Sequence, residues 1–333
     1  MSSSMFRAFR IHRDDGQHHA AVESMTVDAL SPGEVLVQVA YSSINYKDAL
    51  AGTGSGRILR RFPLNGGIDV AGHVVASSDH RFKPGDRVLC TGSGLSETRD
   101  GGLAEYVRLA ADSTIALPPG LDLRESMIIG TAGFTAALAL LRMQDNGQTP
   151  ALGPIAMTGA SGGVGTLGID IFKRAGYSVH AISGKHEHFD WLRELGASEC
   201  IDRHQLVFGD KAMESARFGG ALDTVGGSML AGLLPLIAAD GNVALCGNAG
   251  GMAFSSTVMP FIIRGVSLLG IASAATARAT RVHIWQQLAS VWKPLHLNQV
   301  ATHEVTLDEL PATFARMLSG NSLGRTLVRI GDG

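Results

Sequence analysis

Through the first 110 residues, apolar and polar positions alternate in short runs separated by turn residues. Val35-Leu36-Val37-Gln38-Val39-Ala40-Tyr41 follows the turn signal Ser31-Pro32-Gly33-Glu34, and Ile68-Asp69-Val70-Ala71-Gly72-His73-Val74-Val75 repeats the habit. Phe82-Lys83-Pro84-Gly85-Asp86 feeds a further strand through Val88-Leu89, and residues 101–107 predict another. A period of two broken by Gly, Pro and Asp is the signature of short strands, so this half predicts a compact barrel. From residue 154 the rhythm changes. An apolar run ends in Gly159-Ala160-Ser161-Gly162-Gly163-Val164-Gly165, apolar residues then recur at helical spacing up to Gly176, and a second strand covers residues 177–182. Strand, glycine turn, helix and strand make a βαβ unit. A helix over 191–197 and strands over 199–203, 221–225, 242–247 and 266–271 continue the alternation. Six strands at this rhythm predict a doubly wound parallel sheet whose ligands lie at its carboxyl ends.

The glycine turn is the first candidate for chemistry. One glycine lets the chain turn, one lets backbone approach a pyrophosphate, and one lets helix pack on strand. Ser161, Gly162, Gly163 and Val164 then present backbone N–H groups at the positive end of the helix, as a dinucleotide phosphate requires. The usual GxGxxG pattern has Ala160 at its first position here, with Gly159 beside it to supply the turn. At the tip of the second strand an acid would bind the ribose hydroxyls of NAD, and none is present. Ser183, Gly184 and Lys185 stand there instead and suit the 2′-phosphate of NADP(H), unless Lys185 is only a solvated loop cation. Asn248 and Ser273, just past the ends of two later strands, are further candidates for the cofactor cleft.

Length and composition narrow the class. A chain of 333 residues exceeds one ordinary core and predicts two domains. A formal net charge of −2 without a basic tract gives no case for nucleic acid. Neither a signal-like N-terminus nor an apolar run of membrane-spanning length is evident, so the expectation is a cytoplasmic protein without a membrane partner. Cys90, Cys200 and Cys246 are too few and too far apart for a disulfide framework or a zinc knuckle. His180, His186 and His188 fall at the end of the second cofactor strand, where a solvated or adenosine-facing role outweighs ligation. His18 and His19 are adjacent and so face opposite sides of a strand. No metal is expected.

Several segments occur together and in order: Asn45-Tyr46-Lys47-Asp48, Gly67-Ile68-Asp69-Val70-Ala71-Gly72, Gly85-Asp86-Arg87-Val88, Gly101-Gly102-Leu103-Ala104-Glu105, Gly130-Thr131-Ala132-Gly133-Phe134-Thr135-Ala136 and the glycine turn. Asp223-Thr224-Val225-Gly226, Thr257-Val258-Met259-Pro260-Phe261 and Gly324-Arg325-Thr326-Leu327-Val328 extend the set to the end of the chain. The chain resembles the medium-chain dehydrogenase/reductase superfamily. Within it, the chain is similar to the zinc-independent YhdH/YhfP quinone oxidoreductase family, which includes NADPH-dependent acrylyl-CoA reductases. The resemblance implies an α/β protein with a GroES-like β-barrel catalytic domain, residues 1–126 and 274–333, and a Rossmann NADP(H)-binding domain, residues 127–273. It also implies a homodimer paired through the last strand of the Rossmann sheet. A catalytic zinc in the superfamily would want Cys where Asn45 stands and His where Ile68 stands. In the family Arg203 lies near the adenosine end, where it would stack on adenine or hold the 2′-phosphate, with a surface salt bridge as the bland alternative.

Without a metal as Lewis acid, reduction of an activated C=C bond is the less demanding chemistry. Hydride adds to the β-carbon of an enone, enoyl thioester or quinone, and charge collects on the carbonyl oxygen, where a donor stabilises it. The resemblance places Tyr46 and Asn45 near the nicotinamide, with Tyr46 either proton donor or positioning ring. Lys47 and Asp48 either pair or cap a helix opened near Asn45, and Thr131 and Thr135 either touch the cofactor or cap. Arg57, Arg60 and Arg61 form a basic cluster that either meets the phosphates of a coenzyme A ester or is a solvated face. Asn65-Gly66, Ser93, Asp100 and Ala272 depart from the family pattern around the presumed substrate cleft. The other reading is a non-catalytic NADPH-binding sensor or structural protein.

Overall fold

The computed structural model describes residues 5–331. The chain divides into two compact units. One collects the residues up to Thr131, Ala274–Ala289 and those from Leu297 onward; the other comprises Ala132–Ser273 and Ser290–His296.

The first unit starts with a hairpin of β1 (Met5–Asp14) and β2 (Gln17–Thr26). Asp15 and Gly16 both take positive φ, 48° and 82°, the two-residue turn whose twist matches antiparallel strands. β3 (Val35–Ile44) is the central strand. Helix α1 (Tyr46–Thr53) follows it directly, with Asn45 as N-cap. Then come β4 (Leu64–Asn65), β5 (Asp69–Ser77), β6 (Arg87–Thr91), β7 (Tyr106–Leu109) and β8 (Ile115–Ala116). β3 pairs with both β5 and β7, and β5 with β6; their inward Val35, Val37, Val39, Val70, Val74, Val88 and Val107 form a continuous apolar core. The strand expected over 101–107 begins only at Tyr106. Residues 101–103 instead donate one by one to the carbonyls of Asn65, Gly67 and Gly66, an irregular pairing that strand alternation does not forecast.

Helix α2 (Leu123–Asp145) is broken at Gly130, where φ 48° and ψ −157° leave the helical region, so Thr131 starts what is locally a new helix. Contrary to the sequence-based expectation, this helix is long and apolar enough to cross a membrane. In the structure 83% of its most apolar window is buried within the protein, as in a core helix.

The second unit is a six-stranded parallel sheet. Its strands are β9 (Ile155–Thr158), β10 (Val179–Ser183), β11 (Glu199–Asp202), β12 (Phe218–Asp223), β13 (Ile237–Leu245) and β14 (Ser267–Gly270), in the order β11-β10-β9-β12-β13-β14. This is the doubly wound order, whose direction reverses between β9 and β12. Helix α3 (Gly163–Arg174) packs Leu167, Ile169, Ile171 and Phe172 inward. It comes so close that a Cβ on Gly165 would lie 2.5 Å from the Gly159 carbonyl oxygen. Only glycine fits there. The segment Ser290–His296 joins this unit because both the backbone N–H and the ring of His296 reach buried Asp170, at 2.9 and 3.1 Å.

The chain returns to the first unit as β15 (Ala301–Val305) and β16 (Arg325–Arg329). β16 lies antiparallel to β3 with Thr326 opposite Ile44, which delivers Arg325 beside Asn45 across some 280 residues of sequence. Helix Leu310–Leu318 packs on α1, with Phe314 edge-on to Phe9.

Candidate active site

In the second unit, the expected cofactor residues gather at the carboxyl ends of β9, β10 and β11. Gly159 turns with φ 58°, Gly162 caps α3, and the N-terminus of this helix carries Gly163 and Val164. Ser161 and Ser183 are buried, and the Ser183 hydroxyl donates to Ser161 Oγ at 3.1 Å. The Lys185 N–H donates to Ser183 Oγ at 3.1 Å, and the Arg203 N–H to the Ser183 carbonyl at 3.1 Å. The Arg203 side chain crosses Gly184 so closely that a Cβ there would sit 2.6 Å from its Nε. Burial pushes the pKa of Lys185 down while Glu187 pulls it up. An anion held here would restore the cationic form, so hydroxyls, guanidinium and ammonium fit a 2′-phosphate. Asn248 follows β13 and its carbonyl accepts from the Gly251 N–H. Thr135 donates to Ser273 Oγ at 2.9 Å, which joins two of the expected residues on the same unit.

The first unit holds a buried charge cluster at the start of α1. Asp69, fully buried, accepts from Ser43 Oγ at 2.7 Å, Asn45 Nδ2 at 2.7 Å, and both the N–H and hydroxyl of Thr131 at 3.0 and 2.6 Å. Arg325 faces it with four of its five N–H groups in hydrogen bonds. Nε donates to the Ile128 carbonyl, Nη1 to the Ile44 carbonyl and Asn45 Oδ1, and Nη2 to Ser43 Oγ, 3.5 Å from Asp69 Oδ2. Asp48 completes the cluster by accepting the Asn45 N–H at 2.7 Å and the Ile68 N–H at 3.0 Å.

This network changes the expected roles. Asn45 Nδ2 is aimed at Asp48 and Asp69 and its Oδ1 at Arg325, so the amide positions the helix start and presents no spare donor there. Thr131 is turned toward Asp69 in the same way. Tyr46 is different. It is 47% exposed at the first position of α1, and among the described residues its hydroxyl has no hydrogen-bond partner. Asp69 and Arg325 were missed as site residues although each left a signal, a full charge within an otherwise apolar strand run. Asn65 and Asp100, expected at a substrate cleft, are instead buried together: Asp100 accepts from the Asn65 and Ser31 N–H groups and locks the loop behind β4.

Asp48 titrates unusually. Burial, and after it the charge of Asp69, raises its pKa from 3.8 to about 7, against the hydrogen bonds from Asn45 and Ile68. The folded state therefore keeps this proton to higher pH than the unfolded chain. The contribution of Asp48 to stability is complete below about pH 4 and is lost as pH rises through 7, at a slope near about 1.4 kcal/mol per pH unit. Asp48→Asn is expected to flatten the fall in stability between pH 5 and 7 by about that slope. Denaturant titrations at several pH values check this, and parallel curves for the two proteins would remove the assignment.

Two family models match the chain: the alcohol dehydrogenase GroES-like domain over residues 31–119 and the zinc-binding dehydrogenase over residues 163–290. With the folds of the two units they define a medium-chain dehydrogenase/reductase. The putative quinone oxidoreductase YhfP of Bacillus subtilis is 42% identical over 98% of this chain and 100% of its own length, and its crystal structure with NAD bound matches with a TM-score of 0.94. The probable acrylyl-CoA reductase AcuI of Escherichia coli is 43% identical over 97% of this chain and 99% of its own. The crystal structure of the yhdH oxidoreductase from Salmonella enterica in complex with NADP is 43% identical and has a TM-score of 0.93, covering 97% of this chain and 99% of that one. The chain belongs to this YhdH/YhfP family of medium-chain reductases, which the ordered motifs had indicated.

The second family model carries zinc in its name, but the donor set here does not suit that metal. Beside Asp69 the position for a cation is filled by the guanidinium of Arg325, and the neighbours are amide, hydroxyl and carboxylate groups without Cys or His. Among the described residues one group could bring three ligands together, His12, Asp14 and His19 on the β1–β2 hairpin. Its two imidazoles stack face to face, 4.6 Å apart and 3° from parallel, so their in-plane lone pairs do not converge.

Proposed function

We propose that this protein is a zinc-independent NADPH-dependent reductase whose acceptor is the activated C=C bond of an enoyl thioester such as acrylyl-CoA, with enones and quinones as lesser acceptors. The observation that carries the cofactor assignment is the convergence of Ser161, Ser183, Lys185 and Arg203 at the ends of β9 to β11, with hydroxyls and cations where an NAD site would place an acid. When bound, NADPH supplies the hydride that adds to the β-carbon. Tyr46 then offers its hydroxyl to the acceptor's carbonyl oxygen, where charge collects, and releases its proton to the enolate. Asn45, Asp48, Asp69 and Arg325 hold the first turn of α1 and thereby aim Tyr46. Thr135, Ser273 and Asn248 line the cofactor groove of the second unit.

The reductase reading is preferred to a non-catalytic NADPH binder because the full-length relatives carry the names of reductases. The same proposal includes a cytoplasmic homodimer. β14 ends the sheet without a partner on its outer side among the described residues, and Val258, Ile262 and Ile263 in the segment leading to it are exposed. Light scattering that returns the mass of one chain would remove the dimer.

The test of function is anaerobic NADPH oxidation at saturating cofactor with acrylyl-CoA and with benzoquinone. A kcat/KM for the thioester higher by orders of magnitude is expected. Preference for the quinone would overturn the acceptor, and binding of NADPH without turnover of either would favour the non-catalytic reading.

A further inference from the structure

The first unit has a concave feature at the end of α1 remote from Tyr46. It is a cavity of about 170 Å³ lined by Arg13, His18, Gly54, Arg57, Leu59 and Phe62. The β1–β2 hairpin supplies Arg13 and His18, the last turn of α1 leads into Gly54, and the loop beyond supplies Arg57, Leu59 and Phe62. Each wall is held in place. Gly54 closes the helix with φ 72°, and a Cβ there would fall 2.6 Å from the His18 ring, so glycine leaves the imidazole its space. His18 Nε2 lies 3.0 Å from the Ala51 carbonyl, which also accepts the N–H of the C-cap residue Gly54. The Arg13 guanidinium sits over the Phe62 ring, 5.2 Å from its centroid.

The arginines adjacent in sequence separate in space. Arg61 turns away and donates to Ser31 Oγ, while Arg57 lines the cavity with Arg13 from a different element. Among the described residues neither Arg13 nor Arg57 has a carboxylate partner, in contrast to Arg81 and Arg124, which are paired on the surface. Two unpaired guanidinium groups beside an imidazole and an aromatic ring are suited to phosphate esters. The cavity is smaller than the roughly 300 Å³ at which sites for whole ligands begin, so it suits one end of a longer molecule.

We propose that this cavity is the subsite for the phosphate groups of a coenzyme A thioester, an assignment that rests on the enoyl thioester reading above. The spacing agrees. From Tyr46 to Gly54 is eight residues of helix, ~12 Å at the α-helical rise. The pantetheine arm between thioester and phosphates is as long as about four residues of extended chain, ~14 Å. A thioester carbonyl at Tyr46 therefore leaves the phosphates within reach of Arg13 and Arg57.

The test compares acrylyl-CoA with acrylyl-N-acetylcysteamine, which keeps the reacting end and lacks the phosphates, in the wild type and in the Arg13→Gln/Arg57→Gln double variant. The double variant is expected to raise KM for acrylyl-CoA about 10- to 100-fold with kcat unchanged, while KM for the truncated thioester and for NADPH stays within a factor of two. Calorimetric titration of coenzyme A should lose affinity to the same extent, and Arg57→Lys should retain part of it. If acrylyl-CoA is turned over with the same KM by wild type and double variant, or if both thioesters lose equally, the subsite is overturned while the thioester reading stands. If the wild type reduces benzoquinone but neither thioester, the acceptor reading fails and the subsite with it.

Discussion

Arg325→Met is expected to destabilise the protein by about 3–5 kcal/mol, the usual cost of removing one partner from a buried ion pair, and to lower its thermal midpoint by roughly 10 °C. Methionine approximates the length of the side chain but none of its charge or donors. Asp69 would remain fully buried as an anion without a cation, and the Ile44 and Ile128 carbonyls and Asn45 Oδ1 would lose their donors. Adding Asp69→Asn should recover part of the loss, because the orphan charge goes while a side chain of the same shape remains. Differential scanning calorimetry of both variants checks this. Equal midpoints for the single and double variants would mean that charge pairing is not what holds the cluster. Because the cluster sets the first turn of α1, acceptor turnover should fall in Arg325→Met more than NADPH affinity does.

The second large effect concerns the cofactor. Lys185→Ala removes a cation at the tip of β10 and is expected to raise KM for NADPH about 10- to 100-fold, the worth of one charge-assisted hydrogen bond, with KM for NADH nearly unchanged. Arg203→Ala should act in the same direction through the guanidinium that crosses Gly184. The measurement is initial rates with both nucleotides at one fixed acceptor concentration. Equal losses for NADPH and NADH would mean that Lys185 supports the adenosine site as a whole and does not select the 2′-phosphate.

Some of this molecule follows from local pattern and some does not. The Rossmann strands were legible because each is a short apolar run bounded by turn residues, and because the glycine turn has a steric cause that reads directly from the sequence. Gly165 illustrates it: a helix start that must pack on the strand before it needs a residue without Cβ. The candidates Ser161, Ser183 and Lys185 were read the same way, since each stands at a fixed offset from a strand end, whereas Arg203 came from the family resemblance. A helix start near Thr131 was legible, with Thr131 as a candidate cap; the helical stretch from Leu123 that ends at Gly130 was not. The helix's ability to pass for a membrane span is a matter of length and composition and so stands in the sequence; that 83% of its most apolar window is buried, as in a core helix, was decided by the structure.

The acid–arginine cluster marks the limit. From the sequence by itself came the class of the two domains, the dinucleotide turn, the preference for a phosphate over a free ribose, and Tyr46 at the head of a helix. All of these depend on residues within a few turns or strands of one another. The pairing of Asp69 with Arg325, the commitment of Asn45 and Thr131 to that pair, the raised pKa of Asp48 and the meeting of Arg13 with Arg57 were decided only by the tertiary structure. The reason is physical. Charge interactions depend on distance and on exclusion of water, and both are set here by β16 lying in register against β3 and by the hairpin folding against the end of α1.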